Sequence, residues 1–371
     1  MNLVTALLDE LAPSGLRLRK AAPRGADRLT LELDGADGRV CAGQWHADAA
    51  ETHRIAAQLR KRFGDTSVDV LGRGHLLVQH AGTDAKLTGL HRLVTRPGAQ
   101  LVAHRPERRA VVRLGDTYVK VVRPGTTANV VAPLAAVRPP GLRIPEVLDA
   151  DDERGLVTVA ALTGRTLLDR MADPTSDDEE LATWAKQVGV ALRALHRHHA
   201  DTPRLAHDGA AETVAAKHWL EAASRYGLVD AGRWRPRLQR VAAVLDGVPP
   251  ELALLHRDLH DKQILLQPGQ PVGLLDLDLA TYGDPALDLA NLLVHLDLRA
   301  RQGVCSEQRA AACSAALLGG YSPDPAMAGR LAGYASASRL RLAGVYSFRD
   351  SPAGLVDGLL DASDEELSPW R

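Results

Sequence analysis

The chain has 371 residues, of which 45% are hydrophobic and 25% are charged, an ordinary globular composition that is long enough for two or three domains. Its formal net charge of −1 and pI near 6.9 give no field that would favour nucleic acid or an anionic membrane as a partner. The three cysteines are too few and too scattered for a disulfide framework or a zinc module, so we expect a reducing, cytoplasmic location. We expect neither a signal peptide nor a membrane span, because the first residues lack a basic stretch and no apolar run approaches about 18 residues.

Residues 1–98 have the pattern of a mixed α/β segment. They predict a helix, a β-hairpin that turns at the letters DGADG, a second helix and two short strands. No catalytic motif stands out here, so the role of this segment stays open. The hairpin and helix of residues 28–60 resemble those of residues 108–138, which would fit an internal duplication.

Residues 99–162 predict an antiparallel meander of three strands, a short helix and two further strands, which together make a five-stranded sheet. From residue 163 to residue 371 the apolar positions recur mainly with helical spacing. We therefore predict an α+β fold with a small β-rich lobe, a larger helical lobe and an additional amino-terminal segment. The cleft between the two lobes is the expected ligand site.

The stretch HRDLHDKQILL at residues 256–266 places many polar groups between two apolar segments. Phosphoryl transfer requires a carboxylate that orients the attacking hydroxyl, and a neutral oxygen donor that helps to hold a metal ion. Asp258 and Gln263 fit these two roles. The alternative is that Asp258 only caps a turn.

The letters LLDLDL at residues 274–279 alternate leucine with aspartate. In a strand, alternate residues share a face, so Asp276 and Asp278 would lie side by side on an otherwise apolar sheet. Two buried carboxylates require compensation, and Mg²⁺ is the natural candidate. The alternative is an exposed acidic face of a strand.

The segment YGDPALDLAN at residues 282–291 begins a helix, with Asp284 at the N-cap and Pro285 at the first helical position. Asp284 is expected to be structural. Asp288 lies one turn further into the helix between leucines and needs a buried donor, for which the backbone of residues 256–263 is one candidate.

Lysine is rare in this chain, and Lys120 lies in the apolar strand sequence TYVKVV. A strand lysine that points into the cleft would supply a point charge for the phosphates of a nucleotide. The alternative is an ordinary exposed lysine on a strand.

Over residues 100–300 these motifs resemble the aminoglycoside phosphotransferase and choline kinase superfamily, which implies a bilobal protein-kinase-like fold. Gln263 stands where most of that superfamily has asparagine, and the maltokinase and glucosamine kinase branch is similar in having glutamine and an extra amino-terminal segment. The resemblance implies a role for each matching position: Asp258 as catalytic base, Asp276 as principal Mg²⁺ ligand with Gln263 and Asp278, Lys120 on the nucleotide phosphates, Ala160 and Leu162 in the adenine-binding hinge, and His256 and Asp288 as supports of the loop.

The sequence departs from that pattern at two places. No G-x-G-x-x-G occurs over the first hairpin of the β-rich lobe, so backbone amides, Arg108 or Arg109 would have to contact the phosphates. Residues 121–145 also contain no acidic residue to pair with Lys120. Its partner stays open among Glu107, Asn129 and Glu146. Lys262 either reaches the γ-phosphate or lies in solvent.

Only twelve residues separate Asp276 from Asp288, which leaves no room for a protein-kinase activation segment. We therefore predict a phosphotransferase that uses ATP, or another nucleoside triphosphate, with Mg²⁺. Its acceptor would be a hydroxyl group of a small molecule such as a sugar, aminocyclitol or antibiotic, held by acidic residues from 180–240 and 300–360. The alternatives are a kinase of serine or threonine in a peptide, and a pseudokinase that binds nucleotide without turnover. The acceptor and the oligomeric state stay open.

Overall fold

The amino-terminal segment forms a five-stranded antiparallel sheet. The computed structural model describes residues 3–35, 38–200, 206–246 and 252–367, so the turn expected at DGADG lies partly outside the described residues. Along the sheet the strands follow the order β1-β2-β3-β5-β4. The elements are α1 (Leu3–Leu11), β1 (Arg17–Pro23), β2 (Arg28–Asp34), β3 (Val40–His46), α2 (Ala49–Phe63), β4 (Val68–Leu71) and β5 (Leu76–Gln79).

A second five-stranded antiparallel sheet follows, and it confirms the prediction of five strands with one helix. Its order, β6-β7-β8-β11-β10, repeats that of the first sheet strand for strand, as the resemblance between residues 28–60 and 108–138 suggested. The elements are α3 (Leu90–Val94), β6 (Ala99–Arg105), β7 (Arg109–Leu114), β8 (Thr117–Val121), α4 (Ala128–Ala136), β9 (Leu142–Arg143), β10 (Val147–Asp151) and β11 (Leu156–Ala160). Helix α3 packs on this second sheet through Leu90 and Leu93, across the boundary predicted at residue 98.

The remainder of the chain is mainly helical, with four short strands that frame the polar motifs. Its helices are α5 (Leu167–Ala172), α6 (Asp178–Arg197), α7 (Gly209–Arg225), α8 (Ala231–Asp246), α9 (Ala286–Arg301), α10 (Glu307–Tyr321), α11 (Ala328–Tyr346) and α12 (Leu355–Glu366). The short strands are β13 (Ala253–Leu255), β14 (Ile264–Leu266), β15 (Val272–Leu274) and β16 (Thr281–Gly283), preceded by β12 (Arg165–Thr166). Strand β13 pairs with β16 and β14 with β15, so residues 256–263 and 275–280 leave the paired strands side by side.

Helix α9 begins one residue later than predicted. Pro285 precedes its first residue, Ala286, and the Asp284 carboxylate accepts a hydrogen bond from the Ala286 amide at 3.0 Å. Asp284 also pairs with Arg330 at 2.8 Å, which supports the structural role expected for it. Most of α9 is buried on all sides, so polar side chains on this helix must find partners within the protein.

The amino-terminal segment packs directly on the helical part. The Ala21 amide donates to the Phe348 carbonyl at 3.1 Å, and the Tyr226 hydroxyl donates to the Arg28 carbonyl at 3.2 Å. Leu7 and Leu31 belong to the same buried apolar cluster as the helical core. Among the described residues, no helix is both long and apolar enough to cross a bilayer.

Candidate active site

A cavity of about 570 Å³ lies between the second sheet and the helical part. Its lining contains Lys120 from β8 on one side and Asp258, Gln263, Asp276 and Asp278 on the other. Residues that the sequence placed in three separate motifs therefore face one space. Ala160 and Leu162 line the same cavity, as expected for the segment that joins the lobes.

Asp276 and Asp278 lie together, but not on a strand as the alternating leucines predicted. Strand β15 ends at Leu274, Asp276 has a left-handed backbone with φ of 58°, and Leu277–Leu279 form a single 3₁₀ turn. A positive φ is costly for a residue other than glycine, so this conformation must be held by the surrounding contacts. Both carboxylates reach the Lys120 ammonium, with distances from its Nζ of 3.0 Å to Asp276 and 2.5 Å to Asp278.

The electrostatics of the two carboxylates differ. Burial by itself raises both pKa values, but Lys120 and Arg109 together hold the pKa of Asp276 below its usual range. The pKa of Asp278 stays raised, because burial and the ionised Asp276 outweigh the effect of Lys120. Asp276, Asp278 and Gln263 line the same cavity, and their carboxylate and amide oxygens are of the type that Mg²⁺ prefers. Within the described ranges, no group of three or more histidine, cysteine or acidic residues has the arrangement of a metal site, so water and phosphate oxygens would have to complete the shell.

The partner of Lys120 is different from the three candidates named from the sequence. Lys120 pairs with the two aspartates across the cleft, whereas Glu107 pairs with Lys86 at 2.9 Å and with Arg28 at 3.6 Å. The carbonyl of Glu146 accepts from the Ala160 amide at 2.9 Å. The expectation of Glu107, Asn129 or Glu146 as the partner was therefore wrong.

Asp288 supports the loop of residues 256–263. The backbone of this loop was the candidate donor named for Asp288 from the sequence. Its fully buried carboxylate accepts hydrogen bonds from the amides of His256, at 2.6 Å, and Arg257, at 2.8 Å. Arg257 has a φ of 69°, so the loop turns sharply where Asp288 holds it. The His256 Nε2 donates to the Leu275 carbonyl at 2.7 Å, which links the loop to the aspartate segment.

Two further loop supports on α9 were missed in the sequence. The Asn291 side-chain amide donates to the Leu259 carbonyl at 2.8 Å. Arg299 forms a buried two-pronged ion pair with Asp261, at 2.6 and 2.8 Å. The available signal was the recurrence of polar residues at 288, 291, 295 and 299 in an apolar helix, a spacing that places them on one face.

Asp258 lies where two cavities meet. It lines the first cavity and also a second one of about 460 Å³, which lies between the first sheet and helices α7, α9 and α11. Within the part of the chain that the structure describes, no group donates a hydrogen bond to the Asp258 carboxylate. This carboxylate is therefore left for contact with the contents of the two cavities.

The structure separates the two arginines considered for the phosphates. Arg109 lines the first cavity, with its guanidinium 3.4 Å from Asp276 and 3.5 Å from Asp278. Arg108 lines the second cavity instead. The amides of Ala160 and Ala161 donate to the carbonyls of Glu146 and Asp116, at 2.9 and 3.0 Å, so both amides already have protein partners.

The amino-terminal segment contributes to both cavities, which the sequence did not indicate. Lys20 on β1 and Glu32 on β2 line both spaces and pair with each other at 3.4 Å. Burial, with help from Arg105, lowers the pKa of Lys20 to about 8 despite Glu32. The one available signal was a rare lysine within the charged stretch RLRK.

A known protein family matches most of the part of the chain that follows the first sheet. The model of the phosphotransferase enzyme family, abbreviated APH, matches residues 100–330. No curated protein matches the chain. Among solved structures, a choline/ethanolamine kinase family protein from Mesorhizobium loti shares 20% identity over 76% of this chain and 92% of its own, with a TM-score of 0.50.

A thermostable mutant of the aminoglycoside phosphotransferase APH(4)-Ia, in a ternary complex with AMP-PNP and hygromycin B, shares 18% identity. The match covers 73% of this chain and 95% of that protein, with a TM-score of 0.52. Similarity at this level shows the fold, and it confirms the predicted α+β, bilobal, protein-kinase-like architecture. Since the family model also spans more than half of the sequence, the chain belongs to the phosphotransferase enzyme family.

Proposed function

We propose that this protein transfers the γ-phosphoryl group of ATP, or of another nucleoside triphosphate, to a hydroxyl group of a small molecule, with Mg²⁺ as cofactor. The observation that carries the proposal is the position of Asp258, whose carboxylate has no donor among the described residues and lines both cavities. One cavity would hold the nucleotide and the other the acceptor. The structural neighbours crystallised with AMP-PNP or ADP together with hygromycin B support this two-ligand arrangement.

The nucleotide would occupy the cavity of about 570 Å³. Its base would lie between the lobes near Ala160 and Leu162, and its phosphates would extend toward Lys120 and Arg109. In the structure these two cations pair with Asp276 and Asp278. Binding of the nucleotide with its metal would therefore exchange partners: the cations would move to the phosphates, and the carboxylates would face the metal.

Asp276, Asp278 and Gln263 would hold the metal. When bound, Mg²⁺ neutralises charge on the phosphate oxygens and orients them for in-line displacement. The residues themselves fix the position of the site, because His256 links the loop to the Leu275 carbonyl and Asp288 holds the backbone of the loop.

Asp258 would accept the proton of the acceptor hydroxyl. The hydroxyl oxygen forms a bond to the γ-phosphorus, and the bond from that phosphorus to the β,γ-bridging oxygen breaks. ADP leaves with the electron pair of that bond, and the proton goes to Asp258. General base catalysis of this kind contributes about 10²- to 10⁴-fold to the rate.

The walls of the second cavity favour a small acceptor over a peptide. Strands β1 and β2 of the amino-terminal segment lie on one side of it, and helix α11 lies on the other. The cavity holds about 460 Å³, which is within the range of sites for small molecules.

The test is a coupled ADP-release screen over sugars, amino sugars, sugar phosphates and sugar acids, with the phosphorylated product identified by mass. Asp258→Asn should reduce transfer by at least about 10²-fold. Its affinity for AMP-PNP should stay within about twofold of the wild type, because none of the described residues donates a hydrogen bond to Asp258. Asp9→Asn, on the exposed face of α1, is the matched control.

Full turnover in Asp258→Asn would overturn the role of this residue. Tight nucleotide binding without transfer to any member of the panel would instead favour a pseudokinase. Transfer to a serine peptide and to no small molecule would favour the peptide kinase.

A further inference from the structure

Cations far outnumber carboxylates in the lining of the second cavity. Eight arginine and lysine side chains face it, against two carboxylates, Glu32 and Asp258. The sequence led us to expect acidic residues in this place, holding a cationic or polyhydroxyl acceptor. In the second cavity, the helices on this side bring arginine and histidine to the wall instead.

About half of this positive charge is compensated within the protein. Lys20 and Arg105 share Glu32, at 3.4 and 3.1 Å. Arg299 pairs with Asp261 at 2.6 Å, and Arg341 pairs with Glu212 at 3.0 Å.

The other four cations, Arg24, Arg108, Lys262 and Arg349, form no ion pair with a carboxylate in the described part of the chain. Lys262 lies at the junction with the first cavity, where the transferred phosphoryl group would pass. The remaining three, Arg24, Arg108 and Arg349, also line the second cavity and have no carboxylate partner within the described ranges, and we call them the arginine group.

The pKa values in this region show that the cations are crowded. Burial, together with Arg108, Arg28 and Arg105, lowers the pKa of Arg24 to about 10. Burial also lowers the pKa of Arg349. Arg349 and Arg299 lower the pKa of the Tyr346 hydroxyl, against the opposing effect of its burial. A bound anion would raise the pKa values of these guanidiniums again, because an opposite charge nearby favours the protonated form.

A histidine in the same wall has an unsatisfied polar atom. His295 is only 7% exposed, and its Nδ1 has no hydrogen-bond partner among the described residues. Its ring lies 5.0 Å from that of His260, next to Asp258. Buried polar atoms are nearly always paired in native proteins, so this atom is a second sign that the site is completed by a ligand or water.

We propose that the acceptor is an anionic small molecule, which carries a phosphate or carboxylate group in addition to the hydroxyl that is phosphorylated. The anionic group would bind the arginine group, and the hydroxyl would reach Asp258 at the mouth of the first cavity. Trp219 and Leu342 supply an apolar part of the wall for the carbon skeleton. Arginine suits this role because its planar fork binds phosphate and carboxylate with two parallel hydrogen bonds. This inference deepens the proposed function, on which its assignment as an acceptor site rests, and the transfer step is the one written above.

The first experiment measures anion binding independently of catalysis. Inorganic phosphate is titrated calorimetrically into the full chain, with and without saturating AMP-PNP and Mg²⁺. We expect binding in both states, weakened by at least about tenfold in Arg24→Gln/Arg108→Gln, because each lost charge-assisted contact contributes measurably. Arg96→Gln, an exposed arginine outside both cavities, should bind phosphate as the wild type does. AMP-PNP binding should be the same in all three proteins.

The second experiment uses three probes with one carbon skeleton, namely glucose 6-phosphate, glucose and glucosamine, with gluconate as the carboxylate probe. Calorimetry in the presence of AMP-PNP should show the phosphate or the carboxylate probe binding at least about tenfold more tightly than the neutral and cationic sugars. The tighter-binding probe of these two shows whether the anionic group of the acceptor is a phosphate or a carboxylate. The Arg24→Gln/Arg108→Gln variant should lose that preference.

The proposal would be overturned by the absence of phosphate binding in any state, or by equal or tighter binding of glucose or glucosamine. Phosphate binding that the double variant does not weaken would also overturn it, because the anion would then lie elsewhere. Absence of AMP-PNP binding with phosphate binding intact would count against the kinase and leave the anion site standing, so the two failures are distinguishable.

Discussion

The Lys120 ammonium lies 3.0 Å from the nearer carboxylate oxygen of Asp276, so the cation proposed to bind phosphate and the carboxylate proposed to bind the metal contact each other. Lys120 also contacts Asp278, at 2.5 Å. The two carboxylates are 13–22% exposed, so their mutual repulsion is only weakly screened by water. Lys120 therefore occupies the position at which a metal ion would compensate the same charges.

The contacts of Lys120 with Asp276 and Asp278 predict that a metal cation can compensate the charge of the two carboxylates when the lysine is removed. Lys120→Met should lower the free energy of unfolding by about 1–3 kcal/mol, because it leaves a partly buried carboxylate pair with less compensation. Added Mg²⁺ should then raise the Tm of the variant more than that of the wild type, since binding to the folded state alone is stabilising. Thermal melts with and without MgCl₂ measure both effects, and Lys186→Met serves as control. An equal Mg²⁺ response in Lys120→Met and the wild type would contradict this exchange.

A second prediction concerns the support of the catalytic loop by Asp288. Asp288→Asn keeps the shape of the side chain but replaces one of its two accepting oxygens by a donor, which faces either the His256 or the Arg257 amide. We expect a loss of about 1–3 kcal/mol in the free energy of unfolding, measured by urea denaturation. We also expect kcat to fall more than KM for ATP rises, because the loop carries Asp258. Unchanged stability in Asp288→Asn relative to Asp9→Asn would rule out this support.

Short-range chemistry explains what could be predicted from the sequence. Asp258 and Gln263 were proposed because phosphoryl transfer needs particular residue types at short spacings, and Asp288 because a carboxylate between leucines in a helix needs a buried donor. The five-stranded sheet of residues 99–160 was predicted because apolar residues alternate along its strands. The same rule misled us at Asp276, since the alternation of leucine and aspartate is also compatible with a left-handed residue followed by a 3₁₀ turn.

Long-range contacts explain what was missed. Strand β1 has the sequence RLRKAAP, in which the charged residues obscure the pattern of a strand. Its pairing with β2 was therefore not predicted. Lys20 and Arg24 reach a cavity that also contains Asp258, more than 200 residues later in the chain, and no local pattern encodes such a contact. The same reason applies to Lys120, whose partners across the cleft lie 156 and 158 residues away.

A third prediction follows from the ion pair of Asp261 with Arg299. Both side chains are almost fully buried, so removal of either one leaves a charge without its partner. Asp261→Asn and Arg299→Met should each cost about 3–5 kcal/mol in the free energy of unfolding. The double variant should cost clearly less than the sum of the two, which a double-mutant cycle measures. Additive losses would show that the pair contributes no coupling and that each residue acts through other contacts.

The last prediction concerns pH, through His260 in the catalytic loop. Burial is the main cause that lowers the pKa of His260 from 6.5 to about 4, against the opposing effect of Asp258 and Asp261. The folded protein therefore resists protonation of this ring, whereas the unfolded chain binds the proton as the pH falls below about 6.5. Between pH 6.5 and 4 the unfolded state holds more protons, so the free energy of unfolding must decrease as the pH falls through this window. For His260 alone the decrease reaches about 3 kcal/mol near pH 4, and His295, whose pKa burial also lowers, adds to it.

Urea denaturation at several pH values should show a shallower acid dependence in His260→Gln than in the wild type, while His218→Gln keeps the wild-type slope. The same slope in all three proteins would show that His260 is not the group whose protonation destabilises the fold.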